Sequence, residues 1–253
     1  MTEFPCTVAR CSLHVFPLAF KDEDHMSDQL PFGDITFAEN PDPRCPCVLL
    51  LDTSGSMYQN DAIGELNAGL QQYKEELASD PLAAKRVEVA VVTFGGQVRT
   101  VTDFVTANGF EPPRLEADGP TPMGAAILHG IELLRSRKAT YRANGILHYR
   151  PWLFLITDGE PTDDWTAAAA ALREGDASKS FLFFAVGVAG ANMGVLSQIS
   201  PPGREPLRLK GLQFRDLFRW LSNSQRAVSR SQTSDAVSLG NPTAGPNGWA
   251  TTA

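Results

Sequence analysis

The stretch "VLLLDTSGSMYQN" (residues 48–60) places a run of apolar residues directly before a small polar loop. Such a short apolar run is typical of a strand that is buried on both faces, as in a parallel sheet covered by helices. The loop presents Asp52, Ser54 and Ser56 at alternate positions, and we expect Gly55 between the serines to permit a sharp turn. Three oxygen-bearing side chains can therefore converge at the carboxyl end of one buried strand.

Downstream of this strand the sequence alternates apolar runs with amphipathic segments. Residues 61–79 carry apolar side chains at steps of three and four, which is the spacing of one helix face. The same reasoning predicts strands at 47–52, 87–95, 152–159 and 181–188, and helices at 61–79, 122–137, 163–174, 192–198 and 213–229. Strands that alternate with helices imply right-handed crossovers. The predicted fold is therefore α/β, with a doubly wound, mostly parallel central sheet and helices on both faces.

Two weaker patterns mark the edges of this sheet. A Gly-Gly pair reads as a turn into "QVRTVTDF" (residues 97–104), so this second strand of a hairpin should be an antiparallel edge strand. The segment "PLRLKG" (residues 206–211) predicts a weak strand, also at an edge. The C-terminal tail, residues 231–253, is rich in Ser, Thr, Gly, Pro and Asn. We expect it to be extended rather than packed as an element, with docking of Trp249 left open.

The chain divides into an N-terminal extension (1–44), one domain (45–230) and the C-terminal tail (231–253). Residues 1–25 show no clear period. Met26 is either a natural start preceded by extraneous residues or part of a genuine extension, and the sequence leaves both readings open.

Composition excludes several classes of partner. The 253 residues carry a formal net charge of −7 and a pI of about 5.1, whereas nucleic acids and anionic membranes require a basic face. We therefore predict that the protein binds neither, and the expected redox state of its cysteines predicts a cytoplasmic location. The four cysteines, Cys6, Cys11, Cys45 and Cys47, are expected to be reduced thiols. The alternative, in which Cys6, Cys11 and His14 form half of a zinc site, lacks a second half in the sequence.

Two later segments can join the first loop at one edge of the sheet. The segment "DGPTPMG" (residues 118–124) supplies Thr121, and "LITDGEPTDD" (residues 155–164) supplies Asp158 after a buried strand. The carboxyl ends of parallel strands meet where the strand order reverses, so these side chains should lie near Asp52. All the candidate side chains end in oxygen. Oxygen ligands suit hard cations, so we predict Mg²⁺, with Mn²⁺ or Ca²⁺ as alternatives.

Each candidate ligand also has a purely structural explanation. Thr121 followed by Pro122 is a good helix N-cap with proline at the first helical position. Asp52 and Asp158 can terminate strands and accept hydrogen bonds from loop amides, and serine is common in turns. Any one of these residues is weak evidence for a metal, but their joint occurrence after the appropriate strands favours a metal site.

The motifs resemble those of von Willebrand factor A domains, namely "LLLDTSGSM" (49–57), "TPMG" (121–124) and "ITDGEPTDDW" (156–165). The resemblance implies a metal-ion-dependent adhesion site. Its ligands would be Asp52, Ser54, Ser56, Thr121 and Asp158. It further implies a non-enzymatic module in which a carboxylate from a partner protein fills an open position on the metal.

A narrower resemblance is to the bacterial TerY-type group. It rests on "RPWLFLITDGEPTDDW" (150–165), "FFAVGV" (183–188) and "FRWLSNSQRAVSRSQ" (218–232). That group is associated with tellurite-resistance and stress-response gene clusters. The resemblance therefore implies a protein phosphatase and a protein kinase of the same cluster as partners.

The alternative from another class is a Mg²⁺-dependent phosphatase of the haloacid dehalogenase type. Such enzymes also place an aspartate after a buried strand, but they need a second carboxylate two residues later to protonate the leaving group. Ser54 occupies that position here. A serine hydrolase is weaker still, because "DTSGS" lacks the Gly-x-Ser-x-Gly elbow. His129, which lies within a helical apolar pattern, and His148 offer no convincing general base.

Overall fold

A computed structural model gives the structure of residues 37, 39–244 and 248–252. The expectations for residues 1–25, including the zinc alternative at Cys6, Cys11 and His14, fall outside the residues that it describes. Within the described residues, Cys45 and Cys47 are buried free thiols.

Seven strands form one sheet in the order β3-β2-β1-β4-β5-β6-β7. The strands are β1 (Cys45–Asp52), β2 (Val87–Gly95), β3 (Gln97–Thr106), β4 (Trp152–Thr157), β5 (Leu182–Gly187), β6 (Leu207–Leu209) and β7 (Ala250–Thr252). All neighbouring pairs are parallel except β2–β3 and β6–β7. Every residue of β1 and of β4 is buried, as expected for strands covered on both faces. The predicted α/β fold, with a mostly parallel sheet and β3 as an antiparallel edge strand, is confirmed.

Helices cover both faces of the sheet. They are α1 (Ala62–Ala78), α2 (Ala83–Arg86), α3 (Met123–Ala143), α4 (Thr166–Ala177), α5 (Met193–Ile199) and α6 (Phe214–Arg230). The apolar sides of α1 and α6 share one core with one face of the sheet, and those of α3, α4 and α5 share a second core with the other. In the described part of the chain, no helix combines the length and the hydropathy that crossing a bilayer would require.

Strand β1 lies at the point where the chain changes direction across the sheet. From β1 the chain passes through α1 to β2 on one side, and β4 then joins β1 on the other side. Leu51 of β1 pairs with Ile156 of β4, so Asp52 and Thr157 end adjacent parallel strands. This junction is the place where ligands bind in open α/β sheets.

Helix α3 extends six residues beyond its predicted end, since it ends at Ala143 rather than near 137. The cause is a buried carboxylate on β2. Arg137 Nε donates to Glu88 Oε2 at 2.7 Å, and the Tyr141 hydroxyl donates to the same carboxylate. Arg44, just before the predicted domain boundary at 45, is fully buried and pairs with Glu88 at 3.0 Å. These contacts stabilise the last two turns of the helix although the local sequence is polar.

The C-terminal tail contributes a strand that the sequence analysis missed. β7 pairs antiparallel with β6, and Trp249 just before it is only 3% exposed. The Trp249 ring lies 5.7 Å from that of Trp220 on α6, measured between centroids. The Lys210 N–H donates to the Trp249 carbonyl at 2.9 Å. The end of the tail is therefore packed. The prediction of an edge strand at residues 206–211 is wrong, because β6 lies between β5 and β7 and the antiparallel strand β7 forms the second edge of the sheet.

Candidate metal site

Asp52 ends β1 with a carboxylate that is fully buried and held from two sides. The Ser54 N–H donates to Oδ1 at 2.7 Å, and the Thr157 hydroxyl donates to Oδ2. Thr157 also accepts a hydrogen bond from the Gly159 N–H at 3.2 Å, so it links the loop after β4 to the end of β1. The orientation of the Asp52 carboxylate is fixed before any ligand arrives.

The two serines connect the loop after β1 to Asp158. Ser54 Oγ lies 3.0 Å from Ser56 Oγ, and the Ser56 hydroxyl donates to Asp158 Oδ1 at 2.7 Å. Gly55 does not supply the sharp turn, because its φ is not in the left-handed region and an added Cβ would meet only Gly119 O at 3.8 Å. The left-handed residues of this loop are Asn60 and Asp61, with φ of 53° and 59°.

Backbone hydrogen bonds tie the loop before α3 to the other two segments. Gly55 N–H donates to Gly119 O at 2.9 Å, and Asp118 N–H donates to Thr53 O at 2.8 Å. From the turn between β2 and β3, Gly96 N–H donates to the carbonyl of residue 120 at 2.7 Å. Through these bonds the loop is held against the end of β1.

The Thr121 side chain does not cap α3, although its position in the sequence is that of a helix N-cap. The first amides of α3 are capped instead by Asp163, which accepts from Gly124 N–H at 3.0 Å and from Ala125 N–H at 2.8 Å. Thr121 is 5% exposed, and α3 has no side-chain cap from its own N-cap residue, Pro122. No hydrogen bond of the Thr121 hydroxyl is found among the described residues, so this hydroxyl remains available to a ligand.

Gly159 borders the void on which these side chains converge. A Cβ added to Gly159 would lie 3.3 Å from Thr121 Oγ1, 3.6 Å from Ser56 Oγ and 3.7 Å from Asp52 Oδ2. Three oxygens from three separate segments thus surround one point that no side chain fills. Since Asp158 and Ser54 both contact Ser56, the structure brings all five predicted residues together. Their role as metal ligands is still a prediction.

The electrostatics of this cluster favour a cation. Burial raises the pKa of Asp52 to about 6, although the hydrogen bonds from Ser54 and Thr157 act in the opposite direction. Burial also raises the pKa of Asp158. Among the described residues, neither carboxylate belongs to an ion pair. Two buried carboxylates without a positive partner, beside an unused hydroxyl, fit a divalent cation bound by oxygen.

The hydroxyl groups are an essential part of this donor set. The described residues contain no group of three or more His, Cys, Asp or Glu side chains that could hold a metal ion. Two carboxylates alone are too few donors for a hard cation, which takes six or more oxygen ligands. Any metal at this edge of the sheet would therefore depend on Ser54, Ser56 and Thr121, or on water.

Sequence reasoning missed three residues that shape the site. Thr157 and Gly159 directly flank Asp158 in the sequence, and this adjacency could have identified them as residues of the site. Asp163 gave no signal for its role, because the amides that it caps are 38 and 39 residues away in the sequence.

Comparison with known proteins agrees with this architecture. Residues 47–210 match the family model of the von Willebrand factor type A domain. The chain is 30% identical over 165 residues to the collagen alpha-5(VI) chain of Mus musculus, a match that covers 64% of this chain and only 6% of the collagen chain.

Solved structures show the same fold. The pilus adhesin SpaC from Lactobacillus rhamnosus GG aligns with a TM-score of 0.60 at 14% identity, over 74% of this chain and 31% of SpaC. The von Willebrand factor type A protein from Catenulispora acidiphila aligns with a TM-score of 0.54 at 18% identity, over 73% of this chain and 43% of that one. At these identities the likeness concerns the fold alone. Because the family model matches more than half of its length, this chain belongs to the von Willebrand factor type A domain family, whose members are typically metal-dependent protein-interaction modules.

Proposed function

We propose that this protein binds a partner protein through a Mg²⁺ ion held by Asp52, Ser54, Ser56, Thr121 and Asp158. The observation that carries the proposal is the state of Thr121. The residue is only 5% exposed, its hydroxyl is not used as a helix cap, and Oγ1 lies close to the same point beside Gly159 as Asp52 Oδ2 and Ser56 Oγ. A purely structural threonine at the start of α3 would have been expected to cap that helix.

The donor set suits recognition rather than a reaction. Three of the five side chains are neutral hydroxyls, and when bound, the cation offers an open coordination position that a carboxylate of the partner can occupy. Asp52 is pre-oriented by Ser54 and Thr157, and Ser56 is bonded to Asp158, so little rearrangement is needed on binding. Mn²⁺ or Ca²⁺ can replace Mg²⁺ in this proposal, because oxygen ligands suit all three ions.

The biological setting belongs to the same proposal. On the TerY-type resemblance, the protein acts in a bacterial tellurite-resistance or stress-response system. Its partners would be a protein phosphatase and a protein kinase of that system. A cytoplasmic location is supported by Cys45 and Cys47, which are free thiols in the structure.

The test is Mg²⁺ binding measured by calorimetry in the isosteric variant Thr121→Val. We expect it to bind Mg²⁺ at least about tenfold more weakly than the wild type, because one oxygen ligand is lost. The matched control is Thr162→Val, which removes an exposed hydroxyl from the neighbouring loop and should leave the affinity unchanged. Equal affinities for wild type and Thr121→Val would show that Thr121 is not a ligand.

The phosphatase alternative is tested separately. It lacks a general acid, because position 54 is a serine whose Oγ lies 3.0 Å from Ser56 Oγ. His129, the histidine on α3, is engaged at 2.7 Å with Thr100 of β3. We expect no Mg²⁺-dependent phosphate release from p-nitrophenyl phosphate beyond that of the Asp52→Asn variant. Release that depends on both Mg²⁺ and Asp52 would support the enzyme instead.

A further inference from the structure

Acidic residues are frequent in the loops that supply the candidate metal site. The loops that supply its residues span 53–61, 116–122 and 158–165, and they contain no Lys, Arg or His. Besides Asp158, which belongs to the site, they carry the acidic residues Asp61, Glu116, Asp118, Glu160, Asp163 and Asp164. We call these six residues the acidic rim. Among the described residues, none of them belongs to an ion pair.

Two exposed rim residues lie in the segments that contact the site. The Asp118 N–H donates to the carbonyl of Thr53 at 2.8 Å, which places Asp118 beside the loop after β1. Glu160 directly follows Gly159, the residue that borders the void, and it accepts a hydrogen bond from Asn192 Nδ2 at 2.7 Å. Asp118 and Glu160 are therefore part of the surface that a partner must approach to reach the site.

A separate observation shows that this acidic surface surrounds a binding point rather than being only a solvated face. Thr121 is 5% exposed, its hydroxyl forms no hydrogen bond among the described residues, and Oγ1 lies 3.3 Å from the point that a Cβ on Gly159 would occupy. An unpaired hydroxyl on a side chain that is otherwise enclosed by protein is available as a donor or acceptor to a ligand that enters the site.

An exposed aromatic residue adds to this surface. Tyr58 follows Ser56 by two residues and is 78% exposed, in contrast to the buried Met57 between them. Aromatic faces attract the ammonium and guanidinium groups of Lys and Arg, and Tyr is enriched among residues that dominate binding at interfaces. A basic side chain of a partner would find both a ring and carboxylates here.

From this arrangement we propose that the partner presents its metal-binding carboxylate on a segment in which Lys or Arg flanks the acidic residue. The inference rests on the proposed metal-dependent function. A divalent cation is balanced in charge by Asp52 and Asp158, so a third carboxylate makes the site negative within a negative rim. Basic flanking residues compensate this charge at the rim, whereas acidic flanks are repelled.

The test uses three synthetic nonapeptides with blocked ends: KGKGEGKGK, SGSGEGSGS and KGKGQGKGK. Protein loaded with substoichiometric Mn²⁺ broadens the resonances of any residue that approaches the metal, and Mg²⁺-loaded protein serves as the diamagnetic reference. We expect the resonances of the central Glu in the basic peptide to be broadened. We also expect the basic peptide to bind at least about tenfold more tightly than the neutral peptide at low salt. The central Gln of the third peptide should show much weaker broadening.

The outcomes separate this inference from the function on which it rests. Equal broadening of the Glu and Gln residues in the two basic peptides would contradict the metal-bridged function itself. Metal-dependent binding of the neutral peptide as tight as that of the basic one would overturn only the preference for basic flanks. Failure of all three peptides to approach the metal would also count against the preference, since the basic flanks would then have added nothing.

Rim variants provide the matched comparison. In the double variant Asp118→Asn/Glu160→Gln the preference for the basic peptide should fall at least about threefold, while Mg²⁺ affinity stays close to that of the wild type. The control is Glu75→Gln/Glu174→Gln, which removes the same charge from exposed positions on α1 and α4. A control that loses as much preference as the rim variant would attribute the effect to net charge and overturn the assignment to the rim.

Discussion

Gly159 borders the void that Asp52, Ser56 and Thr121 share, and its missing side chain leaves that space open. A Cβ at this position would lie between 3.3 and 3.7 Å from one oxygen of each of those three residues. The φ of Gly159 is not in the left-handed region, so the backbone can accept a side chain. The proposed metal site therefore depends on the absence of a side chain at residue 159.

The variant Gly159→Ala should therefore fold and bind metal poorly. We expect Mg²⁺ affinity to fall at least about tenfold, because the new methyl group occupies space among the proposed ligands. Gly55→Ala is the matched control from the same site, since its Cβ would make only an ordinary contact of 3.8 Å with Gly119 O. Calorimetry gives both affinities and circular dichroism the melting temperatures. An unchanged affinity in Gly159→Ala would show that the metal lies elsewhere.

Helix α6 is held on α1 by directional polar contacts as well as by its apolar face. The Tyr73 hydroxyl donates to Gln225 Oε1 at 2.6 Å, and the Ser222 hydroxyl donates to the carboxylate of Glu76. Apolar packing alone tolerates alternative alignments more readily than hydrogen bonds with fixed partners do. These contacts fix the position of α6 along α1.

Asp80, in the turn after α1, holds the C-terminal part of α6. It accepts hydrogen bonds from Arg226 Nε at 3.1 Å and from Arg230, and its Oδ1 accepts from the amide of Ala83 at 3.1 Å. Burial alone would raise the pKa of Asp80, but the Ala83 amide and the Arg226 guanidinium outweigh it and hold this pKa below its usual range. A depressed pKa in the folded state means that ionised Asp80 stabilises the fold.

We expect Asp80→Asn to lower the free energy of unfolding by about 1–2 kcal/mol at pH 7, a range typical of charge-assisted bonds with partly exposed partners. The stabilisation is present above the ordinary aspartate pKa of about 4 and is lost as pH falls through the lower pKa of the folded state. The difference between wild type and variant should therefore shrink below pH 4. Urea unfolding at pH 7, 5 and 3 measures it.

The matched control for Asp80→Asn is Asp216→Asn. Asp216 lies on α6, the helix that Asp80 contacts, and it pairs there with Arg219 on the exposed side. It should change stability by less than about 0.5 kcal/mol. If the difference in free energy of unfolding between wild type and Asp80→Asn were as large at pH 3 as at pH 7, the claim that ionised Asp80 stabilises the fold would be contradicted.

Over the whole molecule, the features that the sequence predicted are those with a local signal. The apolar runs of β1 and β4 predicted buried parallel strands, and their carboxyl ends predicted that Asp52 and Asp158 would lie close together. The missed features depend on contacts between distant residues. β7 has no period of its own and forms because β6 leaves an edge unpaired. The length of α3 follows from Glu88 on another strand, and the freedom of Thr121 follows from the cap that Asp163 supplies.

We propose that five side chains from three separate segments hold one divalent cation. Crystals soaked in Mn²⁺ test it most directly, because anomalous scattering locates the metal without assuming its ligands. We expect one strong anomalous peak among Asp52, Ser54, Ser56, Thr121 and Asp158, and we expect this peak to be lost in crystals of Asp52→Asn. A peak elsewhere on the chain, or none at this edge of the sheet at millimolar Mn²⁺, would contradict it.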